Sequence, residues 1–302
     1  MIISIFVYLF TVISTHFLIK LLIAKRIIDH PNERSNHQKM VPRGGGLGFF
    51  IAILCAGIYL KMNIYLMVAL AIVGTISFID DIKNLNIIIR FAAQIIAASI
   101  FTYSLEVTLF LQIILILFLV GFMNCFNFMD GIDGISTIES IHITATIMII
   151  SYITGNEQLF KFAMIVCAAN FGFLPYNFPP AKVFMGDIGS ISLGLINGAL
   201  VIYLFLESHY AASLIIPLYY LMDSGITLLL RIKRGEKFWQ AHSKHFYQQA
   251  VRNGKSHLEV ITRIGIINIL LTFLAVYSLN HPKVSLVAAF VMICVFLKSL
   301  QR

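Results

Sequence analysis

Asp80 and Asp81 stand side by side in "SFIDDIKNLNIIIRFAAQ". Adjacent carboxylates repel unless a cation compensates them, which points to a metal or phosphate-linked role. Arg90 and Gln94, one helical turn apart, open the following segment. The plainer alternative is a polar helix end held by interfacial solvent. In "NCFNFMDGIDGIS", Asn124, Asn127, Asp130 and Asp133 recur every third residue and would line one edge of a continuing helix. Gly131 and Gly134 can instead bend the chain into a cavity or a capped turn. The run is not a calcium loop, because the acidic spacing and terminal Glu of an EF-hand are missing.

In "YNFPPAKVFMGDIGSISLG", two prolines stop one helix, Asn177 and Phe184 lie in the loop, and Asp187 precedes Gly189 and Ser190 at a new helix start. Capping explains Asp187 or Ser190 in the ordinary way. A helix start also attracts anions, and an Asp there can hold a divalent cation that bridges phosphates. His242 and His245 in "AHSKHFYQQ" have helical spacing, but no further Cys or His pair completes a tetrahedral zinc site. Phosphate contact is the better chemical reading, and a solvated histidine pair is the alternative. Upstream, His37, Lys39 and Arg43 lead into Gly44–Gly46 without the spacing of a Walker loop. Those glycines suit close helix packing, and the cations suit lipid phosphate.

These residues must be positioned by a very apolar chain. Of 302 residues, 59% are hydrophobic and 12% charged, against about 25% charged in soluble domains. The expected fold is all-α, a single polytopic domain over 1–302 embedded in the lipid bilayer. Spans are predicted near 2–23, 44–60, 64–79, 88–104, 108–126, 136–153, 159–175, 189–206, 211–230, 259–278 and 283–299, about eleven in all. The first lacks the basic start and small-residue cleavage site of a signal peptide and reads as a retained helix. Cys55, Cys125, Cys167 and Cys294 stand singly, as packing residues do.

With the N-terminus outside, 19 of the 22 Lys and Arg residues fall in or beside one set of connections, leaving Lys61, Lys161 and Lys283 opposite. The positive-inside rule makes that side cytoplasmic. The net charge of +8 is thereby explained without a nucleic-acid partner. All seven aspartates sit at or towards cytoplasmic helix ends, a clustering that the cost of mid-bilayer charge does not by itself require. The active site is therefore expected on the cytoplasmic face.

Together the segments "DD" at 80–81, "NCFNFMDGIDG" at 124–134 and "NFPPAKVFMGDIGS" at 177–190 resemble, in order, the polyprenyl-phosphate N-acetylhexosamine-1-phosphate transferases (glycosyltransferase family 4). The resemblance covers nearly the whole chain. It implies transfer of a sugar 1-phosphate from a UDP-sugar to undecaprenyl phosphate at the bacterial inner membrane, with Mg²⁺ required, Mn²⁺ as an alternative, and UMP released. By motif position it implies Asp187 as the metal ligand and Asp80 with Asp81 as a catalytic pair near the lipid phosphate. Asn127, Asp130 and Asp133 would line the nucleotide pocket, with Phe184 stacking on uracil and Asn177 a nearby polar contact. Arg90 would contact phosphate, and His242 and His245 donor phosphates or sugar. Because the lipid phosphate is already largely ionised, Asp80 could orient it or take a residual proton. A covalent aspartyl phosphate is less favoured.

The chain departs from the peptidoglycan enzyme, which carries three consecutive histidines where this sequence has "HSKH". That departure, the "DHPNERSNH" stretch and an eleventh span resemble the branch that initiates O-antigen or other surface polysaccharides. The donor could then be UDP-N-acetylglucosamine or a deoxy relative. A phospho-N-acetylmuramoyl-pentapeptide transferase is the nearest alternative. A transporter is an alternative of another class, but its binding groups would sit near the midplane in repeated halves, which this sequence does not show. Oligomeric state is left open, a homodimer included.

Overall fold

The computed structural model describes residues 2–31, 40–236 and 242–301. His37 and Lys39 lie outside the described residues. The helices are α1 (Ile2–Ala24), α2 (Leu47–Tyr59), α3 (Ile64–Lys83), α4 (Ile87–Tyr103), α5 (Leu109–Met129), α6 (Ile135–Thr154) and α7 (Glu157–Asn177). They continue as α8 (Gly186–Leu206), α9 (Tyr210–Ile215), α10 (Leu218–Lys233), α11 (Phe246–Arg252), α12 (His257–Tyr277) and α13 (Pro282–Leu300). The described strand structure is a two-residue antiparallel ribbon, β1 (Ile28–Asp29) with β2 (Val41–Pro42), and a single bridge from Arg43 to Phe184.

Every predicted span carries helix, with two differences. The 211–230 segment is split into α9 and α10 around Ile216 and Pro217, because proline cannot donate into the preceding turn. The short α11 lies in a stretch too polar and brief to give an apolar signal. Among the described residues, eight helices are long and apolar enough to cross a bilayer (α1, α3, α5–α8, α12 and α13), whereas α2 and α4 are shorter apolar helices. The molecule is an all-α, multi-pass membrane protein.

Polar caps set several helix starts, each side chain accepting an orphan backbone N–H. Asn63 accepts from Leu66, Asn86 from Ile88, Asn156 from Leu159 and Ser256 from Glu259. The centre of the bundle is α8, with 89% of its most apolar stretch buried against 28% for α1. It packs on α3 and α5, with α2, α6, α7 and α9 completing its surroundings. Gly194 permits the α5 contact, since a Cβ there would lie 2.6 Å from the Met123 Cα. Lipid supplies no hydrophobic drive between helices, so close packing and interhelical hydrogen bonds must hold them. One such clamp joins three helices: Ser140 Oγ accepts from Asn170 Nδ2 at 3.0 Å and from Asn197 Nδ2 at 2.8 Å.

Candidate active site

The site forms where α8 begins. Gly186 has φ +71, a left-handed turn open to glycine, and its missing Cβ leaves room for Asp81, whose Oδ2 would otherwise be 2.5 Å away. From the end of α3, the Asp81 carboxylate accepts the backbone N–H groups of Asp187 at 2.8 Å and Ile188 at 3.0 Å. It thus caps the positive end of α8 from another helix. Its Oδ1 also meets Arg43 Nε at 2.8 Å, and the side chain is 0% exposed.

Asp187 is held from several directions. Arg43 Nη2 reaches its Oδ1 at 2.8 Å, and Arg90 Nη2 its Oδ2 at 3.1 Å. Asn127 Nδ2, from the last turn of α5, donates to Oδ1 at 3.1 Å and to Ser190 Oγ at 3.0 Å. Arg90 also spans to Asp80, Nη1 to Oδ2 at 3.0 Å, while Asp80 Oδ1 accepts the Leu85 N–H at 2.6 Å. The Asp80 and Asp187 carboxyl groups stand within hydrogen-bonding reach of each other. Arg43 and Arg90 are 31% and 30% exposed, so both guanidinium groups remain open to an incoming anion. Although burial works against it, the Asp187 and Asp81 charges raise the Arg43 pKa above its ordinary value and keep it cationic.

Three carboxylates here face two guanidinium groups, leaving an excess of negative charge that favours a cation. Among the described residues no group of three or more His, Cys, Asp or Glu side chains forms a metal cage. Mg²⁺ typically takes one or two carboxylates and completes its shell with water and substrate phosphate oxygens. The facing pair Asp80 and Asp187 fits that pattern.

Asp130 caps the end of α5 beside this cluster. Burial, reinforced by the Asp187 and Asp81 charges and opposed by the Ser136 hydroxyl and Arg43, pushes its pKa up to about 7. Phe184 is partly exposed, and its backbone ties the loop to the Arg43 strand: its N–H donates to Pro42 O and its carbonyl accepts from Gly45 N–H, both at 2.9 Å. Other expected residues are spent on structure. Asp133 accepts the Ala181 N–H at 3.0 Å and meets His257 Nδ1 at 3.3 Å, tying the loop after α7 to the start of α12. Asn177 is buried, accepting from Thr137 Oγ1 at 2.8 Å and donating to Val183 O at 3.1 Å.

The histidines form a second group. His245 is buried with Nδ1 3.3 Å from Asp223 Oδ1, and Asp223 also accepts the Phe246 and Tyr247 N–H groups that begin α11. His242 stacks on His245 with ring centroids 4.8 Å apart. Burial, then His245, Arg231 and Lys244, push the His242 pKa down to about 4, so the ring is neutral near pH 7. Tyr247 donates to Phe128 O at 3.0 Å, tying this group to the α5 end that carries Asn127 and Asp130.

The structure therefore gathers Asp80, Asp81, Arg90, Asn127 and Asp187, keeps Asp130 and Phe184 beside them, and turns Asp133, Asn177 and His245 into fold contacts. Sequence reasoning left Arg43 and Asp223 out of the site. Proline and glycine around Arg43 are the signal of a turn that could deliver it, but its partners are Asp81 and Asp187, far along the chain.

A family model for "Glycosyl transferase family 4" matches residues 63–205, the stretch containing Asp80, Asp81, Asn127 and Asp187. The "Probable undecaprenyl-phosphate N-acetylglucosaminyl 1-phosphate transferase" of Bacillus subtilis (strain 168) is 28% identical over 82% of this chain and 76% of its own length. The "Undecaprenyl-phosphate alpha-N-acetylglucosaminyl 1-phosphate transferase" of Thermotoga maritima is 27% identical over 80% of each chain. The "Phospho-N-acetylmuramoyl-pentapeptide-transferase" of Staphylococcus carnosus (strain TM300) is 33% identical over a shorter match, 51% of this chain and 59% of that one. Together with the helical membrane fold and the acidic residues gathered at the start of α8, these likenesses to glycosyl transferase family 4 and to undecaprenyl-phosphate N-acetylglucosaminyl 1-phosphate transferases support the polyprenyl-phosphate N-acetylhexosamine-1-phosphate transferase superfamily for this chain.

Proposed function

We propose that the protein transfers a sugar 1-phosphate from a UDP-sugar to undecaprenyl phosphate, releasing UMP, at the cytoplasmic face of a bacterial inner membrane. The observation that carries this reading is Asp187 at the start of α8, faced by Asp80 and held by Arg43, Arg90 and Asn127. Such a group suits phosphoryl transfer, which needs alignment and charge stabilisation more than covalent chemistry from the protein.

Asp187 and Asp80 would hold Mg²⁺, or Mn²⁺ in its place, and the ion would neutralise charge on the donor diphosphate. Arg43 and Arg90 exchange carboxylate oxygens for phosphate oxygens as the donor enters. An oxygen of the lipid phosphate attacks the sugar-proximal phosphorus, and the bond from that phosphorus to the UMP oxygen breaks. Asp80 orients the attacking phosphate and accepts its residual proton when one is present. Asp81, with its oxygens committed to α8 and Arg43, acts as a positioning residue. The α5 end around Asn127 and Asp130, together with Phe184, would receive the uridine.

The donor is assigned to the N-acetylhexosamine or deoxy-N-acetylhexosamine class, and the product to the start of a lipid-linked O-antigen or other surface polysaccharide. The similarity to a phospho-N-acetylmuramoyl-pentapeptide transferase supports a second reading, with UDP-N-acetylmuramoyl-pentapeptide as donor. Purified protein with undecaprenyl phosphate, Mg²⁺ and a donor panel separates the two by UMP release and lipid product. UDP-N-acetylhexosamines are expected to be consumed, with activity lost on chelation and reduced at least about 100-fold in Asp187→Asn. Consumption of the pentapeptide donor alone would overturn the branch, and no UMP from any donor would overturn the reaction.

A further inference from the structure

On the face that carries the α8 start, a separate cavity of about 270 Å³ opens between the ends of α10 and α13 and the short α11. Arg231, Arg234, Lys244 and Arg252 line it together with Ser243 and Gln249. None of these residues belongs to the cluster around Asp187. Glu236 pairs with Arg231 at 3.1 Å and Lys244 at 2.6 Å, and Arg252 donates to Ser243. Arg234 is exposed and makes no ion pair among the described residues. Among the described residues, four cations thus meet one carboxylate around a small concavity, an arrangement that an anion relieves.

Cations at the end of α10 also offset that helix's dipole, which accounts for Arg231 and its neighbours by themselves. Lys244 and Arg252 come from other parts of the chain, yet converge on the same space with hydroxyl and amide groups suited to oxyanions. The position narrows the ligand. Leu230 lines the cavity while remaining 39% exposed, next to Leu229 at 67% and Ile232 at 50% on the outward side of α10. Cations therefore meet the apolar belt at the level of lipid head groups.

We propose that this cavity binds the phosphodiester head group of an anionic bilayer lipid. The site goes beyond the transferase reading and does not depend on it. A donor phosphate shares the same oxyanion chemistry, so the test must tell the two sources apart.

Binding of soluble dihexanoyl-phosphatidylglycerol to detergent-purified full-length protein, without Mg²⁺, is compared with dihexanoyl-phosphatidylcholine, UMP and inorganic phosphate. Phosphatidylglycerol is expected to bind at least about 10-fold more tightly than phosphatidylcholine. Arg234→Gln should weaken it about 5-fold, and Arg234→Gln with Arg252→Gln about 20-fold. Arg263→Gln, removing a cation paired with Glu259 elsewhere, should leave it unchanged. Because Arg252 also holds Ser243, the Arg234→Gln variant alone is decisive if the double variant misfolds. Equal binding of the two lipids, or wild-type affinity in Arg234→Gln, overturns the proposal. So does displacement of lipid by UMP or inorganic phosphate whose own affinity falls in Arg234→Gln, since the cavity would then serve the donor. Asp187→Asn should lose UMP release yet retain lipid binding, which separates failure of this site from failure of the reaction.

Discussion

Asp130 shows how one side chain can couple protonation to the fold. Its pKa, raised chiefly by burial to about 7, means that the folded protein holds this proton over a range in which the unfolded chain has released it. The sign follows from linkage: stability is fully present below the ordinary carboxyl range and is lost as pH rises through the folded value. In the absence of metal and donor, the thermal midpoint of detergent-purified protein is expected to fall between about pH 5 and 8. Asp130→Asn keeps a neutral side chain of the same shape, and should flatten that fall by about 2 °C or more. Equal slopes in the two proteins would show that Asp130 does not hold the proton. His242 lies on the other side of the same logic: depressed to about 4, it reaches neutral pH as an uncharged ring able to hydrogen-bond to phosphate without adding charge.

Element by element, the site depends on α8 starting in one place. The turn at Gly186 and the Asp81 carboxylate occupy adjoining space, and Asp81 holds the two N–H groups that begin the helix. Gly186→Ala would impose a left-handed conformation on a residue with a Cβ and push that Cβ into the carboxylate. The expected cost is about 2–4 kcal/mol, read as thermal or denaturant unfolding, with loss of UMP release. In an Asp81→Ala background the added cost should shrink, since the clash is gone and the two changes share one contact. Full additivity would mean that Asp81 does not occupy that space. The helices themselves were legible from hydropathy, because a lipid-spanning segment announces itself by its own composition. The aspartates were legible as a one-sided cluster for the same reason. What could not be read was which oxygen serves which partner: Asp133 and Asn177 look like pocket residues by type and loop position, but their hydrogen bonds close the loop after α7. By sequence Arg43 reads as a cation suited to lipid phosphate, because its contacts to α3 and α8 exist only in the folded bundle.

For the whole molecule, the number of membrane crossings turns on the two shorter apolar helices. At 1.5 Å per residue, α2 and α4 span only about 20 and 26 Å, short of the roughly 30 Å hydrocarbon layer. Their ends nevertheless lie at the levels of longer neighbours. The approach to α2 is bonded to the start of α8, Gly46 N–H to Met185 O at 2.9 Å, while Lys61 and Asn63 beyond its other end line a cavity with Tyr203 near the end of α8. Likewise α4 starts with Arg90 on Asp80 and Asp187 and ends where Ser104 Oγ accepts from Asn63 Nδ2 at 2.8 Å. Each short helix therefore traverses the same thickness as α8, with flanking turns making up its length. Counting the split pair α9 and α10 as one passage, the chain is expected to cross eleven times, with its ends on opposite sides. In a variant lacking the four native cysteines, single cysteines at Lys61, Glu106, Ser208 and Lys283 should react with an impermeant maleimide on intact cells. Those at Met40, Lys83, Lys233 and Lys255 should react only after permeabilisation. Labelling of Met40 and Lys61 from the same side would remove α2 from the crossings, and the same result for Lys83 and Glu106 would remove α4. Either would reverse every later segment and move the α8 start, with Asp187, to the outer face, which would overturn the proposed use of a cytoplasmic UDP-sugar donor.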